Sequence, residues 1–210
     1  MEVNEIIKLF YATPGVVNLS DKDDFEPQPG VFASVYINLK TPLYYPKFRK
    51  KLARLLSGYI GNDVKYICGI ESGGSYYASA VADLKDKKIL LFRKDRKQYN
   101  IKNHFVGNLP EKGDSVVIVD DVISSGNTIS RAVSQLKKMG CKVKTVALFS
   151  YCWDKQIAKN LGIDIKVLSN AEELIEYGLF LKRMTSHNVQ IIRDFIKREE
   201  NRLAKGQKIK

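Results

Sequence analysis

Residues 116–128 read Val-Val-Ile-Val-Asp-Asp-Val-Ile-Ser-Ser-Gly-Asn-Thr, and this stretch decides the fold. Its apolar, β-branched run Val116–Val119 predicts a strand that is buried on both faces. A short polar turn follows, and apolar residues at helical spacing then predict a helix: Ile129, Ala132, Val133 and Leu136. A strand, a tight turn and a helix in this order form one unit of a parallel α/β sheet.

The turn after this strand has the chemistry of a phosphate site. Backbone amides and hydroxyls converge there, and the next helix adds its positive end. These groups belong to Ser124, Ser125, Gly126, Asn127 and Thr128. The carboxylates of Asp120 and Asp121, just before the turn, suit sugar hydroxyls or a magnesium ion held through water. Phosphate donors beside paired carboxylates predict a site for a ribose phosphate.

The composition is that of a globular protein. The 210 residues are 44% hydrophobic and 28% charged, which suits one domain with a substantial core and a small subdomain. Lys and Arg exceed Asp and Glu by 35 − 23 = 12, and this excess favours anionic partners such as nucleic acid or a phosphorylated substrate. A solvated basic surface, which includes the tail 197–210, is the alternative interpretation.

Three features predict a cytoplasmic protein. The chain has three cysteines, an odd number without a Cys-x-x-Cys pair: Cys68, Cys141 and Cys152. This favours a reducing compartment over disulfides or a zinc site. The acidic N-terminal residues open an amphipathic helix rather than a signal peptide. A run of about 18 apolar residues, which a transmembrane helix needs, does not occur.

Strand and helix patterns alternate along the chain and predict an α/β fold, with a mostly parallel central sheet flanked by helices. Residues 18–30 are predicted as a loop, Val31–Tyr36 as a strand and Leu43–Tyr45 as its hairpin partner. Further strands are predicted at 66–70, 88–92, 144–149 and 163–168. Ligands of such sheets bind beyond the carboxyl ends of the strands, where three segments would meet: Glu71–Ser75, Arg93–Gly107 and Asp120–Thr128.

Two of these segments suit a diphosphate. The glycines of 72–74 allow the backbone to approach a ligand at a helix start, although a tight βα turn would have the same sequence. Residues 93–104 carry five cations and lie in a connection that is long for an α/β unit. Such a loop can neutralise a departing diphosphate and exclude water, and a solvated charge run is the alternative.

The run 116–128 resembles the 5-phosphoribosyl-1-diphosphate (PRPP) signature of type I phosphoribosyltransferases. Arg93–Lys97, followed by Val106-Gly107, is similar to the Arg-Lys-Glu-x-Lys catalytic loop of the orotate phosphoribosyltransferase family. Lys40–Tyr45 is similar to that family's Lys-Ser-Pro-x-Tyr hairpin. The resemblance implies the type I fold with a small N-terminal hood, and the magnesium-dependent conversion of orotate and PRPP to orotidine 5′-monophosphate and diphosphate.

Carried over residue by residue, the resemblance implies a role for each matching position. Lys97 and Arg93 would be catalytic. The implied PRPP-binding residues are Ser72, Gly73, Gly74, Arg93, Lys94, Lys97, Tyr99, Asp120, Asp121, Val122, Ile123, Ser124, Ser125, Gly126, Asn127 and Thr128. The implied base-binding residues are Tyr44, Tyr45 and Ser124, and Asp120 and Asp121 would hold magnesium indirectly, through water or PRPP. In the family the loop reaches the neighbouring subunit's site, which implies a homodimer.

The chain departs from the family mainly where the base would bind. Tyr99 stands where the family usually has His, and Phe149–Asp154 contains no arginine for the substrate carboxylate. The lysines that usually face orotate and the diphosphate fall at Tyr36 and Gly73. Neutral donors and backbone amides would replace these cations, and His104 is given no role. The sequence therefore supports PRPP chemistry more firmly than the choice of base.

We expect three segments along the chain. Residues 1–45 would form the hood on the base side, 46–169 the PRPP-binding core with the catalytic loop 93–107, and 170–210 the C-terminal helices and basic tail. Two alternatives stay open: a phosphoribosyltransferase for a purine or uracil, and a non-catalytic regulator that senses PRPP and binds nucleic acid. The intact Lys97 loop favours an enzyme. We expect neither a membrane partner nor a nucleic-acid partner.

Overall fold

The computed structural model describes residues 4–20, 22, 25–28, 31–33, 35–94, 104–151 and 153–204. Its elements are α1 (Glu5–Ala12), β1 (Val17–Leu19), β2 (Phe25–Gln28), β3 (Val31–Ala33), β4 (Val35–Ile37), a 3-10 helix (Thr41–Tyr44), α2 (Pro46–Ser57), β5 (Tyr66–Ile70), α3 (Gly73–Lys85), β6 (Lys88–Phe92), β7 (Phe105–Val106), β8 (Ser115–Ile123), α4 (Asn127–Lys138), β9 (Lys142–Ser150), α5 (Asp154–Leu161), β10 (Asp164–Val167), α6 (Ala171–Phe180) and α7 (Ser186–Ala204).

Strand β8 lies near the centre of the main sheet. In the described part of the chain this sheet has six strands in the order β10-β9-β8-β5-β6-β7, and each neighbouring pair except β6–β7 is parallel. Residues 116–119 of β8 are almost completely buried, because strands on both sides and helices over the sheet cover them. The predicted α/β fold with a mostly parallel sheet and flanking helices is confirmed.

The carboxyl end of β8 differs from the prediction, which ended the strand at Val119. Pairing with β5 stops at Gly69↔Val119, but pairing with β9 continues to Ile123↔Ser150. Asp120 and Asp121 therefore lie inside the strand. On the β5 side, β5 no longer pairs with their backbone. The start of α3 occupies that space, which brings the two aspartates to the cleft described below.

The N-terminal region contradicts two predictions. Residues 18–30, predicted as a loop, contribute to β1 and contain β2, which pair antiparallel with β4 and β3. The hairpin partner predicted at Leu43–Tyr45 is wrong, since Thr41–Tyr44 form a 3-10 helix. The Asn38 side chain accepts hydrogen bonds from the backbone N–H groups of Lys40 and Thr41, and Pro42 lacks a donor for a strand ladder. The chain therefore turns there instead of extending.

Helix α1 packs against α6, and α7 packs against the end of β9. Asn4 donates from its side chain to Leu168 O at 2.6 Å, and the Tyr11 hydroxyl donates to Leu174 O at 2.9 Å. Phe195 of α7 covers Tyr151 at the end of β9, with ring centroids 5.8 Å apart. Among the described residues, no helix combines the length and the apolar character that a membrane crossing needs.

Candidate active site

A cleft of about 260 Å³ opens at the carboxyl end of the central sheet. It brings together parts of the three segments that the sequence pointed to. The predicted residues that line it are Ser72, Gly73, Lys94, Asp120, Asp121, Val122, Ile123, Ser124, Ser125, Gly126, Asn127 and Thr128. Four lining residues were not predicted as site residues: Lys40, Ile70, Glu71 and Ile129.

The turn between β5 and α3 touches the paired aspartates directly. A Cβ atom built on Gly74 would lie 2.6 Å from Val119 O, and one built on Gly73 would collide with the Asp121 carboxylate. Both positions therefore require glycine because of close approach. Gly74 lies behind the cleft surface, whereas Gly73 lines it. This contact holds the N-terminal end of α3, with its free amides, beside the two carboxylates.

Asp120 is almost completely buried, at 7% exposure. Its Oδ1 accepts a hydrogen bond of 2.9 Å from the Asp121 backbone N–H. Burial raises the pKa of Asp120 well above its ordinary value, and the neighbouring Asp121 carboxylate raises it further. The Lys94 ammonium acts in the opposite direction. Asp121 is more exposed and accepts from Val122 N at 2.9 Å.

The turn after β8 begins α4 at the bottom of the cleft. Gly126 caps the helix with a φ of +70°, a left-handed conformation that glycine adopts without strain. A Cβ there would also lie 2.6 Å from Ile157 Cδ1. The first backbone amides of α4 lack partners within the helix, so together with the nearby hydroxyls they form a concave set of hydrogen-bond donors for an anion.

Residues 93–104 are called the cationic segment below, and its first two residues, Arg93 and Lys94, form its stem beside the cleft. Lys94 lines the cleft, and Arg93 adjoins it without lining it. His104, for which the sequence indicated no role, is buried at 6% exposure and stacks on Phe92, with ring centroids 5.3 Å apart. The predicted residues Lys97 and Tyr99 lie outside the described residues.

Lys40 reaches the cleft from a well-supported turn. Tyr77, which is completely buried, donates from its hydroxyl to Leu39 O at 3.0 Å. The Asn38 backbone N–H donates to Val16 O at 2.8 Å, and the Asn38 side chain accepts from Lys40 N at 3.1 Å. The backbone before Lys40 is therefore held on both sides, while its side chain remains exposed at the cleft. The Lys-Thr-Pro sequence was the signal for this position.

The predicted base-binding tyrosines lie outside the cleft lining. Tyr44 and Tyr45 pack edge to face, with ring centroids 5.2 Å apart, and Tyr44 is 81% exposed. Tyr151 instead connects the sheet to β4, because its buried hydroxyl accepts from Ile37 N at 3.4 Å. Trp153 packs beside Tyr151 in the same aromatic cluster, with ring centroids 5.8 Å apart.

The cleft's charges are mixed. Three carboxylates line it, from Glu71, Asp120 and Asp121, together with the ammonium groups of Lys40 and Lys94. Within the described ranges, no group of three or more His, Cys, Asp or Glu could hold a metal ion by itself. A cation at the paired aspartates would therefore need further oxygen ligands, from water or from a bound substrate.

Known proteins are similar to this chain in sequence and in fold. The phosphoribosyl transferase domain family matches residues 39–176. The orotate phosphoribosyltransferase of Listeria monocytogenes is 28% identical over 191 residues, which cover 88% of this chain and 91% of the relative. That of Methanococcus maripaludis is 32% identical over 146 residues, covering 68% and 76%.

The fold is also similar to that of a solved structure. The crystal structure of orotate phosphoribosyltransferase from Aeropyrum pernix matches with a TM-score of 0.70 at 22% identity, covering 83% of this chain and 98% of that chain. The family resemblance inferred from the sequence is confirmed. Since the domain family matches well over half of its length, the chain belongs to the phosphoribosyltransferase family, alongside these orotate phosphoribosyltransferases.

Proposed function

We propose that the protein is an orotate phosphoribosyltransferase, which converts orotate and PRPP to orotidine 5′-monophosphate and diphosphate in pyrimidine nucleotide synthesis. The observation that carries the proposal is the single cleft that joins the phosphate turn, the paired aspartates and Lys94. The names of the curated relatives support orotate as the base, and they do not favour a purine, uracil or regulatory role.

The cleft suggests how PRPP would lie. The 5-phosphate would bind the turn 124–128, and Asp120 and Asp121 would accept hydrogen bonds from the ribose hydroxyls. Hydroxyl donors would favour the ionised form of Asp120 against its buried surroundings. The diphosphate would lie along residues 72–74 and meet Arg93, Lys94 and Lys97, the last as the catalytic residue.

This reaction asks for little proton transfer by the protein. Orotate's ring nitrogen is acidic enough to attack as an anion. As the bond to diphosphate breaks, positive charge develops at the anomeric carbon and negative charge on the leaving group. Carboxylates on one side and cations on the other would stabilise this separation, because both sets are already oriented before the reaction.

We propose magnesium as the cofactor. The mixed charge of the cleft fits this ion: Asp120 and Asp121 supply hard oxygen ligands but too few to hold a cation alone. They would therefore hold it indirectly, through water or through PRPP oxygens. When bound, the ion would neutralise diphosphate charge, which lets an anionic substrate enter beside three carboxylates.

For the base, we propose that Lys40 meets the carboxylate of orotate. The family's usual cations are absent at Tyr36 and in the segment after β9. Lys40 lines the cleft from a turn whose backbone is held by Tyr77 and Asn38. A lysine there would restore a charge-assisted contact to a carboxylate.

We further propose a cytoplasmic homodimer in which the segment carrying Lys97 serves the neighbouring subunit. The chain's excess positive charge would then serve phosphorylated substrates rather than nucleic acid. RNA or DNA binding would be weak and lost at moderate salt. A tight, sequence-selective complex at physiological salt would instead support the regulator.

The test is to incubate the protein with PRPP and magnesium and, in separate reactions, orotate, uracil, hypoxanthine or adenine. Diphosphate release should require orotate. Release with another base alone would keep the phosphoribosyltransferase and change its substrate. A folded protein that binds PRPP but releases no diphosphate with any base would contradict the enzyme proposal.

A further inference from the structure

Two side chains connect the stem of the cationic segment to the phosphate-binding helix. Arg93 N donates to His104 O at 2.9 Å, and the imidazole Nδ1 of His104 lies 3.0 Å from Arg93 O. Arg131, on α4, donates from Nη2 to Lys94 O at 2.8 Å and lies 3.4 Å from His104 Nε2. Two successive carbonyls are thus held by side chains that also contact each other.

These contacts select one form of His104. A carbonyl oxygen only accepts hydrogen bonds, so Nδ1 carries the proton that faces Arg93 O. A guanidinium only donates, so Nε2 presents its lone pair to Arg131. The Nη2 group of Arg131 has two N–H bonds, enough for both of its acceptors. Because the imidazole is buried against Phe92, it cannot turn away without opening the core.

Lys94 is the point at which this network reaches the cleft. Sheet pairing of β6 with β7 ends at Phe92↔Phe105, so Lys94 lies beyond the last ladder residue. Its backbone position must come from elsewhere, and the hydrogen bond from Arg131 supplies it. The Lys94 side chain lines the cleft together with Asp120.

We propose that Arg131, supported by His104, is a positioning residue that holds the Lys94 backbone so that its ammonium is preorganised for a diphosphate. The inference rests on the proposed function, which supplies that ligand. An oriented charge binds an anion better than a free one, since less side-chain freedom is lost on binding. Arg131 itself need not touch the ligand.

A double-mutant cycle on diphosphate binding tests the inference. Calorimetry with magnesium diphosphate would compare the wild-type protein, Arg131→Ala, Lys94→Ala and the double variant. We expect each single change to weaken binding by roughly tenfold, the strength of one contact to a charged group. The double variant should bind no more weakly than Lys94→Ala alone, since Arg131 acts through Lys94.

Three controls separate positioning from other effects. Ribose 5-phosphate, which needs only the turn and the paired aspartates, should bind Arg131→Ala as it binds the wild type. Lys138→Ala removes an exposed charge from the same helix and should leave diphosphate binding unchanged. Arg131→Lys keeps a donor for Lys94 O and should restore much of the affinity.

Other results would overturn the inference. If the two single effects multiply in the double variant, Arg131 contributes only its own charge. If ribose 5-phosphate binding falls as far as diphosphate binding, Arg131 is merely structural. A wild-type protein that binds ribose 5-phosphate but no magnesium diphosphate would instead remove the proposed function, on which the inference rests.

Discussion

The two ends of the cleft are built differently. At the phosphate end, nine consecutive residues from Asp120 to Thr128 line the cleft, and the Gly73-Gly74 turn packs directly on them. At the other end, Lys40 projects from a turn held by Tyr77, and β4 is joined to the sheet by Tyr151, 114 residues from Ile37. The phosphate end is thus local in sequence, and the other end is assembled from distant segments.

This difference explains which part of the site can vary. A contiguous run on β8 and α4, held by β9 and by the start of α3, can keep its geometry when side chains elsewhere in the cleft change. An end assembled from short strands, a 3-10 helix and an aromatic cluster can change its side chains without disturbing that run. We therefore expect changes at the phosphate end to abolish turnover and changes at the other end to alter base preference.

The largest effect should follow Asp120→Asn combined with Asp121→Asn. Loss of two charge-assisted hydrogen bonds to ribose should lower turnover by about a thousandfold, roughly 4 kcal/mol. Steady-state kinetics with PRPP and orotate would measure it. Circular dichroism should show a retained fold, and unchanged turnover in a folded double variant would contradict the ribose assignment.

The next largest effect should follow Lys97→Ala. An interaction made chiefly in the transition state changes turnover more than binding. We expect kcat to fall by about a hundredfold, close to 3 kcal/mol, with a smaller change in PRPP affinity. Lys102→Ala removes the same charge from the same segment and should have little effect. A Lys97→Ala protein with normal turnover would remove its catalytic role.

The same variants test whether the segment serves the neighbouring subunit. Mixing Lys97→Ala subunits with Asp120→Asn/Asp121→Asn subunits should restore activity, since half the sites in a mixed dimer would carry neither change. If subunit exchange is demonstrated and activity stays absent, each segment serves its own subunit.

The comparison also shows what the sequence could predict. Residues 116–128 carry their structure locally, through β-branched residues, adjacent carboxylates and a glycine turn, so the strand, the helix and their place at the cleft follow from the pattern. The length of β8 does not, because it depends on pairing with β9 beyond the end of β5.

The other end was harder for the same physical reason. The Asn38 side chain and Pro42 turn the chain at 38–42, while the tyrosines at 44 and 45 suggest a strand. The burial of His104 could not be predicted either, because it depends on stacking against Phe92, and the contact with Arg131 spans 27 residues of sequence. Contacts between distant segments leave no local signal.

Lys40→Met should have a smaller effect that is selective for the base. Loss of a partly exposed ionic contact should raise the KM for orotate by about tenfold, near 1.4 kcal/mol, and leave that for PRPP close to its wild-type value. Lys47→Met, which removes an exposed charge from α2, is the matched control. An increase confined to the KM for PRPP would reassign Lys40 to the diphosphate.

Asp120→Asn should stabilise the protein at neutral pH. Burial raises the pKa of Asp120 in the folded state, so the unfolded chain releases this proton at lower pH. The free energy of unfolding therefore falls as the pH rises from the ordinary Asp range through the raised pKa. The amide removes this loss, so the variant should have a higher free energy of unfolding than the wild type at about pH 7.

Denaturant unfolding of this variant and the wild type at about pH 4 and about pH 8 would measure the effect. The difference should be largest at the higher pH and shrink toward the lower one. If the variant and the wild type are equally stable at both pH values, burial of the Asp120 carboxyl does not destabilise the fold. The contrast between the two ends of the cleft would then be weaker.

Tyr151→Phe should give the smallest change in stability. It should lower the free energy of unfolding, whereas Asp120→Asn should raise it. Tyr151→Phe removes the hydroxyl that accepts from Ile37 N at 3.4 Å and leaves a buried N–H without this partner. A long neutral hydrogen bond is worth about 0.5–1 kcal/mol, so the free energy of unfolding should fall by that amount at every pH. Tyr66→Phe is a matched control, because the Tyr66 hydroxyl has no hydrogen-bond partner among the described residues. If Tyr151→Phe is as stable as Tyr66→Phe, β4 is held by packing alone, and the end of the cleft that carries Lys40 does not depend on this distant hydrogen bond.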